Sequence, residues 1–428
     1  MDRNEAKEIL LSSLPEYLER KGIQINKKFR CLCPEHLDHD PSMSYYKQQN
    51  ICHCFACGVN ADIFQLIGWD YNVSSFKEQF EIGCSLFGLD VGQERKNVVK
   101  KYSSKKRLTK KEPEIAPLEI RHKVYTAMHD VLGLGPDDEK YLYEIRHLDK
   151  TRIRTDYFRL SKKWPDNALR KILKVAGCDP DLVKKVPGFY LDKNGNLAYN
   201  SKESGIAILI RDANGKACAV QVRRDTAEKG RRYVWFSSRF AKGGTSPGAA
   251  KDVVIPQHQK KILCITEGRF KAEILAQQGN ITISVQGVST WKNIDNIIKP
   301  LRDRYELHSI YLMFDSDIMG NIQLLKSLKQ MARYLQQIFP DMRLKAGVWK
   351  MEYGKGVDDF YFSGTLYQNK NIKYLDAMEV YQKCLNNVPT LLKEYMVDDL
   401  RSLPEKRKKA FKKSLQKRNE EQFFPPTA

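Results

Sequence analysis

From Lys260 to Trp349 the chain reads KILCIT (261–266), RFKAEILAQQ (269–278), ITISV (281–285), SIYLMF (309–314) and RLKAGVW (343–349), with helical stretches near Asp295 and up to Phe339. Short apolar runs separated by helices are the pattern of a parallel sheet covered by helices, because parallel strands need long crossovers and are buried on both faces. The stretch therefore predicts an α/β domain, placed at residues 259–365. Acids follow three of its strands: Glu267-Gly268 after KILCIT, Asp315-Ser316-Asp317 after SIYLMF, and Asp358-Asp359 in KGVDDF (355–360) after the strand ending at Trp349. Open α/β sheets place their crevices at the carboxyl ends of strands. A single Asp after a strand is an ordinary helix cap. Several carboxylates on one edge repel each other unless cations neutralise them, and hard oxygen ligands with room for water suit magnesium. Phosphoryl transfer is the chemistry such a site fits, since bound cations there bridge a triphosphate and stabilise the charge that builds up.

Upstream, residues 116–186 read as mostly helical, and 205–236 carry β-type runs, IAILI (206–210) and ACAVQVR (217–223), divided by the turn DANGK (212–216). A mixed α+β subdomain is expected over 116–258. The stretch 92–115, with KNVVKKYSSKKRLTKKEP at 96–113, has little to bury and reads as a basic linker, either a solvated spacer or a further hold on phosphates. Residues 366–428 are expected to form a basic helical tail, frayed from Phe423 to Ala428.

The first 91 residues contain the second chemical signal. Cys33 and His36 form a C-x-x-H pair, followed after 17 residues by Cys54 and Cys57 as C-x-x-C. Two-residue gaps let both side chains of a pair meet one ion while turn amides face the thiolates, and four such ligands satisfy tetrahedral zinc. Cys31, Cys52, His39 and His53 are neighbouring candidates that break this paired spacing and are left out. One structural zinc ion is expected, holding together a ribbon too small to fold on its own core. Tyr45, Tyr46, Lys47 and Phe55 beside it are able to stack on bases and hold phosphate, or else to pack the ribbon. A helix over Asn4–Lys21 is expected to lie against it.

Composition agrees with a polyanionic partner. Among 428 residues, 73 Lys and Arg against 52 Asp and Glu leave +21, which attracts nucleic acid, although a lysine-rich surface also serves solubility. Five of the 10 cysteines fall between Cys31 and Cys57, a clustering that suits a metal site in a reducing cytosol better than a disulfide framework. No apolar run has the length of a signal core or a membrane span, so a cytoplasmic protein without a membrane partner is expected.

These motifs together resemble the DnaG-type bacterial DNA primases, in particular the compact versions carried by phages and conjugative elements. The segment 29–68, FRCLCPEHLDHDPSMSYYKQQNICHCFACGVNADIFQLIG, resembles their CHC-type zinc ribbon. Glu267-Gly268, Asp315-Ser316-Asp317 and Asp358 resemble the Toprim fold, which primases share with topoisomerases and certain nucleases. VPGFY (186–190), the strand pair at 206–224 and RYVWFSS (232–238) resemble the basic subdomain that precedes Toprim. The resemblance runs from about Asn4 to Phe362 and implies an α+β multidomain enzyme: zinc ribbon, basic α+β subdomain, Toprim domain. It implies a ribbon that senses single-stranded template and a core that joins nucleoside triphosphates into RNA primers.

Carried over by position, zinc falls on Cys33, His36, Cys54 and Cys57, and catalytic magnesium or manganese on Glu267, Asp315, Asp317 and Asp358. Glu267 serves as metal ligand or as acid and base. Arg146 in YLYEIRH (141–147) resembles the family arginine that precedes a glycine, here His147. Arg211, Arg223 and Arg224 are expected to face template and incoming triphosphate, as guanidinium forks suit phosphate oxygens. Lys271, where many cellular primases carry an acid, is grouped with these phosphate contacts. The chain lacks the phosphate-binding loop of an ATPase, so a replicative helicase is expected from another chain of the replisome. A Toprim nuclease or a non-catalytic single-strand-binding adaptor are the alternatives. The tail after Asn387 is expected to be dispensable for primer chemistry.

Overall fold

The computed structural model describes residues 2–34, 38, 41–71, 73, 75–89, 91, 114–226, 232–248, 250–288, 290–362 and 371–425. His36 and the linker at 92–113 lie outside the described residues. The chain divides into two compact units, Met1–Pro113 and Glu114–Ala428.

In the first unit the expected helix over 4–21 is two helices. Helix α1 (Arg3–Ser12) starts on the Asp2 carboxylate, which accepts from the amides of Asn4 and Glu5 at 2.7 and 2.8 Å. Pro15 has no amide hydrogen to give to an ongoing helix, and α2 (Leu14–Arg20) restarts with that proline in its first turn. Strands β1 (Met43–Tyr46), β2 (Ile51–Cys54) and β3 (Asn60–Ala61) form an antiparallel ribbon, followed by α3 (Ile63–Tyr71) and α4 (Phe76–Phe87). Leu10, Leu14, Leu18, Ile63, Ile67 and Ile82 are fully buried between the helices and the ribbon.

The second unit opens with α5 (Leu118–Leu132) and α6 (Lys150–Asp156), then β4 (Tyr157–Leu160) and α7 (Ala168–Ala176). A hairpin of β5 (Phe189–Leu191) and β6 (Leu197–Tyr199) precedes the long pair β7 (Gly205–Arg211) and β8 (Ala217–Arg224) and the short β9 (Tyr233–Trp235). The order β4-β7-β8-β9 is antiparallel throughout, and with the helices before it this region is mixed α+β.

The predicted parallel sheet follows. Its elements are β10 (Asp252–Val254), β11 (Ile262–Glu267), α8 (Arg269–Gln277), β12 (Ile281–Val285), α9 (Asp295–Tyr305), β13 (Ser309–Leu312), α10 (Ile322–Ile338), β14 (Arg343–Val348), α11 (Val357–Phe362), β15 (Lys373–Asp376), α12 (Ala377–Glu394) and α13 (Glu405–Phe423). The sheet runs β10-β12-β11-β13-β14-β15. Its inner four strands are parallel and its two edge strands antiparallel. The edges come from outside 259–365, so the sheet reaches beyond the range read from the alternation. From β11 the chain moves to one side for β12 and to the other for β13. That reversal opens a crevice between the carboxyl ends of β11 and β13.

The basic helical tail expected over 366–428 is built into this unit. Helix α13 packs behind the turn at 316–320: Gln416 Nε2 donates to Ser316 O at 2.9 Å and Asn419 Nδ2 to Met319 O at 2.6 Å. A Cβ on Gly320 would stand 2.8 Å from Lys412 O, so turn and helix touch through backbone. Phe423 and Phe424, expected to fray, are buried in the main core, and Lys373 Nζ donates to Phe423 O at 2.7 Å. Asn419 is fully buried and its side-chain oxygen accepts from Asn387 Nδ2 at 2.7 Å. Replacing it with Leu removes both bonds and leaves buried groups unpaired. A loss of about 1–3 kcal/mol is expected, measured as a lower midpoint of urea unfolding.

Candidate functional site

The crevice between β11 and β13 receives the predicted acids. Glu267 ends β11, and Asp315 and Asp317 sit in the turn after β13, where Thr266 Oγ1 ties the two strands by donating to Met313 O at 2.6 Å. Ser316 N and Oγ donate to Lys355 O at 2.9 and 3.1 Å, which draws the loop carrying Lys355 and Asp358 against that turn. Burial pushes the carboxyl groups of Glu267 and Asp315 above their ordinary range, against the downward pull of Lys271. Lys355 is pushed up by its hydrogen bond to Asp317.

Cations of the chain meet these acids. Lys271 Nζ pairs with Asp315, Lys355 Nζ stands 2.7 Å from Asp317 Oδ2 and 3.9 Å from Asp315 Oδ2, and Arg146 Nη2 donates to Asp358 Oδ2 at 2.9 Å. Arg146 also lies over the Phe270 ring, 4.7 Å from its centre. Asp358 Oδ1 is buried with no hydrogen-bond partner among the described residues. An unpaired carboxylate oxygen is a donor suited to a hard cation, but among the described residues no three carboxylates of the crevice hold ligand atoms within 4.8 Å of one another. Lys355 was missed in the sequence, where nothing sets it apart from other basic residues.

The arginines expected to face phosphate fall in different surroundings. Arg211 spends its donors on protein: Nε on Asp156 Oδ1 at 2.7 Å, Nη1 on Gly215 O at 2.8 Å and Nη2 on Thr155 O at 3.0 Å. Arg224 grips Glu203 with two bonds of 2.5 and 2.6 Å. Arg223 lies over the Tyr141 ring at 4.8 Å. Strand alternation hid this difference, because a strand-end arginine is equally suited to a ligand and to a neighbouring acid.

Behind the crevice is a buried ionic cluster with no signal in the sequence. Arg269, almost fully buried, pairs with Asp156, with Asp252 at 2.9 Å and with Glu273 at 2.8 Å, and also donates to Leu209 O at 3.0 Å. Burial pushes Asp252 and Glu273 up, whereas Arg269 and Arg211 overcome the same burial to hold Asp156 below its ordinary range. The cluster ties α6, β7 and β10 to α8, the helix that begins just after Glu267.

In the ribbon, Cys54 and Cys57 form the expected knuckle. Cys57 N donates to Cys54 Sγ at 3.4 Å, and Gly58 turns the chain at φ +72°, a left-handed conformation that favours glycine. The thiols of Cys31, Cys54 and Cys57 lie within 4.8 Å of one another, a donor set that fits zinc. The described residues of this group include Cys31 rather than Cys33. Asp38 fixes the approach by accepting from Cys31 N at 2.6 Å and Ser42 N at 3.0 Å, and Ser42 Oγ contacts Cys54 Sγ at 3.1 Å. The thiol contact with Cys57, with burial, pushes Cys31 up. Tyr45 packs into the ribbon and donates to Asn50 Oδ1 at 2.8 Å, whereas Tyr46 and Phe55 are 39% and 54% exposed, with Lys28 over the Phe55 ring.

Comparison with known proteins finds two separate stretches of the chain that match described families. Residues 14–99 match the CHC2 zinc finger family, and residues 253–365 match a domain of unknown function (DUF3854). A DNA primase of Staphylococcus epidermidis is 21% identical over 419 residues, which covers 94% of this chain and 65% of that protein. The chain is similar to this DNA primase along nearly its whole length. A DNA primase of Campylobacter jejuni is 31% identical over 103 residues, covering 24% of this chain and 15% of that protein. The chain thus spans less than two thirds of these curated relatives. The crystal structure of the zinc-binding and RNA polymerase domains of the Aquifex aeolicus primase aligns over 96% of both chains at 17% identity and a TM-score of 0.40. No helix of the described residues is long and apolar enough to cross a membrane.

Proposed function

We propose that this chain synthesises short RNA primers on single-stranded DNA by nucleotidyl transfer. The observation that carries the reading is the meeting of Glu267, Asp315 and Asp317 at the reversal between β11 and β13, in a chain that also has a CHC2 ribbon. Magnesium or manganese, held by Glu267, Asp315, Asp317 and the free oxygen of Asp358, would supply positive charge to the triphosphate and acidify the attacking hydroxyl. The fold of this region supports a Toprim assignment through its acids and the parallel strands beneath them. The other steps fall to the chain's own residues. The primer 3′-oxygen bonds to the α-phosphorus as the bond from that phosphorus to pyrophosphate breaks. Glu267, with a carboxyl group raised by burial, is suited to receive the proton of the hydroxyl. Lys355, Lys271 and Arg146 face the departing phosphates, while Arg223 and the exposed Tyr46 and Phe55 are suited to hold template. The helicase that opens the duplex would come from another chain.

The test is direct. Purified protein, single-stranded templates, labelled nucleoside triphosphates and magnesium or manganese should yield short template-dependent products. Template degradation without synthesis, with both metals, would favour the nuclease instead. Template binding that persists with neither product would favour the adaptor.

The ribbon is read as holding one zinc ion on Cys54 and Cys57, joined by Cys33 and His36 from the spacing. Cys31, whose thiol stands 3.7 Å from that of Cys57, is the competing ligand. Chelation is expected to release about one zinc per chain and to unfold residues 28–68. Metal analysis of Cys54→Ser and Cys57→Ser should show that zinc lost, and unchanged content would refute the assignment. Comparing Cys31→Ser with Cys33→Ser identifies the third thiolate as the variant that loses zinc.

A further inference from the structure

Every acid of the crevice except Glu267 already faces a cation of the protein, and the three cations differ in how firmly they are held. Lys355 is 53% exposed and reaches Asp317 and Asp315 from the surface, so it can swing aside when a ligand enters. Lys271 is only 20% exposed and its partner Asp315 only 18%. It rises from the first turn of α8, and its stem runs against the loop at 356, where a Cβ on Gly356 would stand 2.7 Å from Lys271 Cε. The same added atom would collide with Asp358, so the lysine tip lies in a slot between two of the acids.

We propose that the Lys271 ammonium is a built-in cation of this site, standing where a second divalent ion would otherwise bind, so that the chain takes up one exchangeable divalent ion. The inference deepens the nucleotidyl-transfer reading and rests on it. Charge supports it. Glu267, Asp315, Asp317 and Asp358 set against Lys271, Lys355 and Arg146 leave one net negative charge. One divalent ion turns that into one net positive charge, enough to receive a triphosphate, whereas two would give three and an empty site that strongly repels its own second ion. Geometry agrees. Lys271 pairs with Asp315 and Lys355 with Asp317, and among the described residues no three carboxylates of the crevice hold ligand atoms within 4.8 Å of one another, which leaves little room for a second ion. As an ammonium, Lys271 supplies fixed charge with three donors and needs no ion from solution.

The experiment is a titration of the zinc-loaded full chain with manganese alone, in which free ion is counted by electron paramagnetic resonance. One manganese ion per chain is expected, lost on Asp315→Asn combined with Asp317→Asn. Lys271→Asp, which turns the cation into a ligand, should take up a second ion. Lys271→Gln, close in size and uncharged, should hold its ion about tenfold more tightly because one neighbouring positive charge is gone. Two ions in the unaltered chain, or unchanged stoichiometry and affinity in both Lys271 variants, would overturn the proposal while leaving the metal site in place. If no bound manganese responds to the Asp315 and Asp317 changes, the metal site falls, and the role of Lys271 with it.

Discussion

Asp315→Asn combined with Asp317→Asn is expected to abolish primer synthesis while leaving template binding nearly intact. Both side chains sit in the turn after β13 and belong to no buried core, and Asn keeps their size, so the fold has little reason to change. What changes is charge. The pair supplies two of the four carboxylates of the crevice, and without them Lys271 and Lys355 lose their partners and the site becomes too positive to hold a divalent cation. A loss of several kcal/mol of transition-state stabilisation corresponds to a rate lowered by about a thousandfold or more. Template affinity depends instead on Lys and Arg contacts to phosphate, so raising salt should weaken binding of both proteins with the same slope. Primer yields within tenfold of the unaltered chain would show that the acids are not the reacting centre.

How much of this was legible in the sequence depends on range. The inner strands at 262–267, 281–285, 309–312 and 343–348 were readable because a buried parallel strand is a short apolar run wherever it occurs. The acids after those strands were readable because strand ends fix their position relative to the crevice. The knuckle at Cys54 and Cys57 was readable because its geometry is set by a two-residue turn. The edge strands β10 and β15, at three and four residues, carry too little pattern to be told from loop. Arg211 shows a different limit: its partners Asp156 and Thr155 lie 55 and 56 residues away in sequence. The packing of the tail was hidden for the same reason. Helix α13 looks like a solvated basic helix, and the buried Asn419 that fastens it to Met319 O, 100 residues away, is one polar residue among many.

Arg269→Met is expected to cost the second unit about 3–5 kcal/mol, the loss seen when one partner of a buried ion pair is removed. The methionine replaces much of the volume but none of the charge, so Asp156, Asp252 and Glu273 are left buried with Arg211 and the more distant Arg152 as their remaining cations. The pH dependence separates this charge effect from a packing effect. In the unaltered chain Asp156 is held below its ordinary range, so its stabilising contribution is present above that range and is lost as pH falls through its lowered value. Asp252 and Glu273 are raised, so their contribution has the opposite sign: it is present below the ordinary range and is lost as pH rises through their raised values. Removing Arg269 takes away the main force holding Asp156 down and lets burial raise all three. The deficit of the variant should therefore be greatest near neutral pH and shrink as the carboxyl groups take up protons on acidification. Glu273→Gln added to Arg269→Met should recover part of the loss at neutral pH, because it removes a charge that no longer has its partner. Urea unfolding at several pH values measures both effects. A deficit that does not change with pH would mean that Arg269 acts through its packing and its bond to Leu209 O, with the carboxyl groups already neutral in the folded chain.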